Sequence, residues 1–242
     1  MNRRAAVVLL GLSALSLATP ASARTAKRKG ALAPRANYRT RLAELAARRE
    51  ELAEELARAR SSKARVAVGE RARTTLLRAF RDDLFPAWAG TKWAFYGTTT
   101  EPGEGFIACG YYVTTLLRDA GFDVERAKLA QQPSERIVKT MAPETEIERF
   151  RRGDADLVID AVRKKGEGLY VVGLDNHVGL LDVAGDAVMF CHSTYVEKAD
   201  VRREPAAESE VFQSRYHVVG RLLSPKTLQA WLRGRRFETL TT

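Results

Sequence analysis

The run Gly105-Phe106-Ile107-Ala108-Cys109-Gly110-Tyr111-Tyr112-Val113 carries a cysteine where a glycine-bounded loop gives way to an apolar helical pattern. The first N–H groups of a helix have no internal partners and carry partial positive charge. A thiol placed there is therefore expected to ionise more readily than an ordinary cysteine, whose pKa is about 8.5. The thiolate is the attacking species, and an imidazole is its natural proton partner. Of the three histidines in the chain, His177 (Leu174-Asp175-Asn176-His177-Val178-Gly179) and His192 (Phe190-Cys191-His192-Ser193) fall downstream in strand-like segments. Cysteine first and histidine later, with a further polar group to orient the base, is the arrangement of thiol-based acyl transfer.

These groups need a helix and a sheet to hold them. Tyr112, Val113, Leu116 and Leu117 recur on one face of a helix expected from Cys109 to about Ala120, with Gly121 as its stop. Strands are expected at Gly168–Leu174, His177–Val183, Ala187–Ser193 and Tyr216–Leu223, each rich in Val, Leu, Tyr or Phe and bounded by turn residues. An antiparallel meander is the simplest layout for them. A two-residue loop at Gly185-Asp186 would set Ala184 opposite Ala187 and His177 opposite Thr194, leaving His192 diagonal to His177. The two imidazoles would then share one face, with Cβ atoms about 7–8 Å apart or somewhat less. Met189 and Cys191 would take the other face with Leu180. His217 reads as a strand or surface residue.

The rest of the chain frames this unit. Arg3 and Arg4 precede an apolar stretch to about Leu17, and Pro20-Ala21-Ser22-Ala23 offers a cleavage site. Residues 1–23 are thus expected to be a signal peptide, and the protein to be exported, periplasmic or secreted, without a transmembrane span after cleavage. Residues 24–36 form a basic linker without periodicity. Residues 37–86 are expected to be helical: Leu42, Leu45, Leu52 and Leu56 mark one amphipathic helix, either packed on the domain or free as a partner arm over residues 40–60. A second starts near Ser61 or Ser62 and ends before Pro86. Residues 87–242 carry the chemistry. An aromatic cluster from Trp88 to Tyr96 suits either a core or a cleft wall. Shorter helices are expected at Ser134–Met141, Thr145–Phe150 and Ala155–Lys164. The net charge of +10 favours an anionic envelope over nucleic acid, because no aromatic platform is interleaved with the basic residues. The two cysteines have a second reading, since an oxidising compartment permits a Cys109–Cys191 disulfide.

Taken together, the region from Trp93 to Leu223 resembles the NlpC-type cysteine peptidases, a papain-like branch that cleaves peptide stems of bacterial cell walls. The likeness rests on Phe95-Tyr96-Gly97 before the nucleophile, Cys109 opening a helix, His177-Val178-Gly179 in a strand and His192 on the next. It implies an α+β, papain-like fold with helices packed on an antiparallel sheet. It also implies that Cys109 attacks, His177 is the base, His192 orients it, and Tyr96 joins the Cys109 N–H in the oxyanion site. One departure stands out: where wall-cutting members carry Asp-Cys-Ser-Gly, this chain has Ala108-Cys109-Gly110-Tyr111. Neither the acidic nor the hydroxyl anchor for a free amino end is present, which leaves another amide or an acyl ester open as substrate.

The expectation is therefore an exported thiol amidase acting on cell-wall peptide, without cofactor or metal. The rival class is a non-catalytic envelope-binding protein that keeps the fold. Thiol chemistry separates the two.

Overall fold

The computed structural model describes residues 33–151 and 154–240. The signal peptide expected over residues 1–23 lies outside the described residues, as does the linker up to residue 32. The last linker residues form a helical turn, α1 (Ala33–Ala36), and Arg35 Nε donates to the Ala87 carbonyl at 2.9 Å.

Helices α2 (Tyr38–Arg58) and α3 (Ser62–Arg78) follow, α3 being capped by the Ser61 hydroxyl, which accepts from the Ala64 N–H. The path then runs on through a π-helical turn (Ala79–Leu84) into α4 (Phe85–Trp88), rather than stopping before Pro86. Pro86 is tolerated because it sits in the first turn of α4, where a missing N–H is least damaging. After a long loop come α5 (Cys109–Asp119), β1 (Asp123–Val124), α6 (Arg126–Ala130) and α7 (Ser134–Met141). Next are β2 (Ile147–Arg151), α8 (Ala155–Lys165), β3 (Gly168–Leu174), β4 (Val178–Ala184), β5 (Ala187–Ser193) and β6 (Val201–Pro205). The last elements are β7 (Tyr216–Arg221), α9 (Pro225–Leu232) and β8 (Arg236–Phe237).

The protein is a mixed α+β structure whose main sheet has six antiparallel strands in the order β2-β7-β3-β4-β5-β6. Two expectations are corrected here. The segment expected as a helix at Thr145–Phe150 is a short turn leading into β2, an edge strand whose partner β7 lies some seventy residues on in sequence. Its Ile-Glu-Arg-Phe-Arg pattern carries the charge that keeps a sheet edge from pairing further. The meander holds only from β3 to β6, since β7 crosses back to lie between β3 and β2.

Alternation along the strands separates two apolar layers. Leu169, Val171, Val178, Leu180, Cys191 and Val218 face α2, α3, α5, α7 and α9, while Tyr170, Val172, Leu181, Val183, Phe190 and Val219 face α8 and Phe212. The apolar stripe of α2 is buried in the first layer through Leu45 and Leu52, and Arg49 Nε donates to the Trp231 carbonyl at 2.8 Å. This helix therefore packs on the domain.

α5 is fixed at both ends and along its face. Val113, Leu116 and Leu117 are fully buried, each such burial stabilising by about 1.5–3 kcal/mol. Gly121, at φ +86°, ends the helix, and the Trp231 indole N–H donates to the Ala120 carbonyl at 2.8 Å. Asp119 accepts from the Tyr38 hydroxyl (2.8 Å), which accepts in turn from the Trp88 indole (2.9 Å). The N-terminal helices thus clamp the helix that begins at Cys109.

Candidate active site

Cys109 is the first residue of α5, and the preceding Ala108 offers no side chain to cap the helix. The opening N–H groups are consequently left for other acceptors. Backbone bonds hold the approach to the helix. The Ala108 N–H donates to the Gly97 carbonyl (2.9 Å), and the Ile107 N–H to the Lys92 carbonyl (2.8 Å). The buried Ser193 hydroxyl donates to the Ile107 carbonyl at 2.7 Å. Gly110 has its own steric reason: a Cβ there would meet the Ala130 carbonyl oxygen at 2.3 Å. Close packing of α5 on α6 therefore leaves no room for a side chain at this position.

The half-buried Cys109 and the buried His177 line one cleft of about 530 Å³, together with Ser134, Glu135, Asp175 and Tyr216. The register expected for the β4–β5 hairpin is the one observed, with Ala184 opposite Ala187 and Leu180 opposite Cys191. His177 Nε2 lies 3.0 Å from His192 Nδ1, and His192 Nε2 lies 3.1 Å from Glu204 Oε1 on β6. Phe190 stacks on His192 at 4.0 Å between centroids and meets His177 edge-on at 6.0 Å. Gly179 makes room for this ring, since a Cβ there would meet Phe190 Cε2 at 2.4 Å.

The electrostatics differ from a resting ion pair. Burial pushes the Cys109 thiol above its ordinary value, and the backbone N–H groups of Val178, Gly110 and Cys109 oppose this only in part. Burial, reinforced by His192, pulls His177 down to about 3, and burial also lowers His192 despite the Glu204 carboxylate. At neutral pH the thiol is therefore protonated and both rings are neutral.

A stability consequence follows from the His177 shift. In the unfolded chain an imidazole protonates below about 6.5, whereas folded His177 resists protonation down to about 3. The unfolded state then binds more protons, so this contribution is fully present above pH 6.5 and is lost as pH falls toward 3. Urea unfolding is expected to show a loss on the order of 3 kcal/mol from this group between pH 7 and 4. In His177→Gln the slope over that window should be shallower; an equal slope in both proteins would contradict the assignment.

The other residues singled out in the sequence fall as follows. Tyr96 is 88% exposed, packs edge-on against Phe95 and does not line the cleft. The reason lies in Gly97: its backbone presses on Ile107, where a Cβ would meet the Ile107 nitrogen at 2.5 Å, and Tyr96 projects to solvent beside it. The aromatic cluster divides, with Trp88 in the core and Phe95 and Tyr96 exposed. Both cysteines are free, and Cys191 is fully buried on the α5 side of the sheet. His217 is a buried strand residue, its Nε2 2.8 Å from the Phe212 carbonyl oxygen.

Three carboxylates at the site had no signal in the sequence. Glu204 reaches His192 from the next strand. Glu135 is held down to about 2 by bonds from Arg149, the Tyr216 hydroxyl and Lys139, outweighing its partial burial. Asp175 accepts from the Ser214 hydroxyl (2.6 Å) and the Arg215 N–H (2.9 Å), which hold it below the usual carboxylate range. Among the described residues, no group of three or more His, Cys, Asp and Glu side chains is placed to hold a metal ion, and no helix is long and apolar enough to cross a membrane. Comparison with protein-family models, with curated proteins and with solved structures finds no match.

Proposed function

We propose that this protein is an exported cysteine hydrolase of the papain-like, NlpC type that cleaves an amide bond, with peptide stems of the bacterial cell wall as its substrate class. The observation that carries the reading is the shared cleft: an uncapped helix start bearing Cys109 opens beside His177, whose far nitrogen is engaged by His192.

The chemistry is general-base assisted. A neutral His177 takes the proton from the neutral Cys109 thiol as sulfur attacks the carbonyl carbon, so charge develops only along the reaction path. The carbonyl π electrons move to oxygen, and N–H groups at the start of α5 stabilise the oxyanion. The imidazolium returns its proton to the leaving amine, leaving a thioester on Cys109. Water, deprotonated by His177, attacks that thioester; a carboxylic acid leaves and the thiol is restored.

Two features bear on the substrate. Ala108 and Gly110 provide no anchor for an ammonium group, and a longer side chain at position 110 has no room. Asp175 and Glu135 line the same cleft, the charge of Glu135 being met by Arg149 and Lys139. The test is mass spectrometry of wall fragments after incubation with wild-type protein and with Cys109→Ala. New amide-cleavage products are expected from the wild type alone. Identical fragment patterns from the two proteins would exclude this substrate class.

A further inference from the structure

We infer that Glu204 is a positioning residue for the proposed base: by holding a proton on His192 Nε2, it fixes both imidazole tautomers and leaves His177 Nδ1 as a free lone pair. The catalytic role rests on the hydrolase reading above; the tautomer assignment does not.

A neutral imidazole carries one N–H, and a carboxylate only accepts. His192 Nε2 lies 3.1 Å from Glu204 Oε1, so that nitrogen must be the donor of the ring. His192 Nδ1 is then an acceptor, and the nitrogen 3.0 Å from it, His177 Nε2, must carry the hydrogen of its own ring. What remains on His177 is an unprotonated Nδ1. Without the carboxylate the pair can reverse, with His192 Nδ1–H donating to His177 Nε2. His177 Nδ1 would then carry the hydrogen and be useless as a base.

The surroundings favour one arrangement. Phe190 stacks on His192, limiting ring rotation, and His192 is fully buried. Glu204 is half-buried at the sheet edge, its carboxyl held below the usual range chiefly by the bond from His192, with Arg202 3.8 Å away. Arg202 is itself held by Asp200 and Glu197, so it leaves Glu204 Oε1 to the imidazole. When His177 accepts a proton, the chain His177–His192–Glu204 ends on a negative charge that stabilises the imidazolium.

Nitrogen-15 NMR of histidine-labelled protein tests the assignment without any substrate. In the wild type, both rings should show a protonated Nε2 and a lone-pair Nδ1. In Glu204→Gln, whose amide can donate as well as accept, His177 should show a mixture or the reverse. Wild-type protein with hydrogen on His177 Nδ1, or unchanged tautomers in Glu204→Gln and in Glu204→Ala, would overturn the inference. On any substrate the wild type turns over, Glu204→Gln should lower kcat about a hundredfold, leave KM within about twofold and shift the acid limb of the pH profile. Unchanged kcat and pH profile would remove the positioning role. The expected NMR signature in a protein without turnover would instead overturn the hydrolase reading and leave the tautomer assignment standing.

Discussion

Replacing Cys109 with alanine is expected to lower kcat by about four to six orders of magnitude on any amide the wild-type protein cleaves, because the bond-forming atom itself is gone. His177→Ala should cost nearly as much, since a thiol held above its ordinary pKa needs a base to attack at neutral pH. The two losses should not add, as both remove the same step. His192→Asn should keep part of the activity: an amide can still accept from His177 Nε2, although it breaks the link to Glu204. Steady-state kinetics on the four proteins, with thermal melts to confirm folding, would decide the matter. Turnover in His177→Ala close to wild type would exclude His177 as the base.

Alkylation should distinguish the two cysteines by about a hundredfold or more in rate near neutral pH, with Cys109 the reactive one. Cys191 is fully buried and its thiol is pushed far up by burial and by Asp182, whereas Cys109 opens onto the cleft. The pH dependence is the sharper signature. A thiolate–imidazolium pair gives a rate plateau that persists into the acid range. With a raised thiol and a neutral His177, the iodoacetamide rate on Cys109 should instead keep rising beyond pH 9. Peptide mapping of labelled protein from pH 5 to 10 gives both results. A flat rate below pH 7 would show that the pair is ionised at rest.

Periodicity made much of this site legible. The helix at Cys109, its stop at Gly121, the four central segments of the sheet and the parity of the β4–β5 hairpin all follow from local pattern, because each depends on residues close in sequence. What pattern could not carry is non-local. β2 is charged and short, and becomes a strand through pairing with β7. Glu204 meets His192 only because the loop after Ser193 brings β6 into register, with Arg202 opposite His192. The raised Cys109 thiol reverses the expectation drawn from its helix start, since that expectation held the N–H groups but not the burial that outweighs them. The oxyanion role of Tyr96 rests on the family resemblance alone, and the contact of Gly97 with Ile107 leaves its side chain in solvent.

The end of β5 also bears on which changes of chain length the protein can absorb. His192 and Ser193 are consecutive, so they leave the sheet on opposite sides: one completes the imidazole pair, the other secures the loop just ahead of the nucleophile. A change at the Gly185-Asp186 turn that slips β5 by one position along β4 would exchange the two sides and disconnect both halves of the site at once. An insertion held wholly within the turn leaves the parity of β5 untouched whatever its length. Natural or engineered lineages of this chain should therefore vary freely in the length of the turn while keeping the pairing below it, and a one-residue slip of that pairing should mark a copy that keeps the fold but has lost the chemistry.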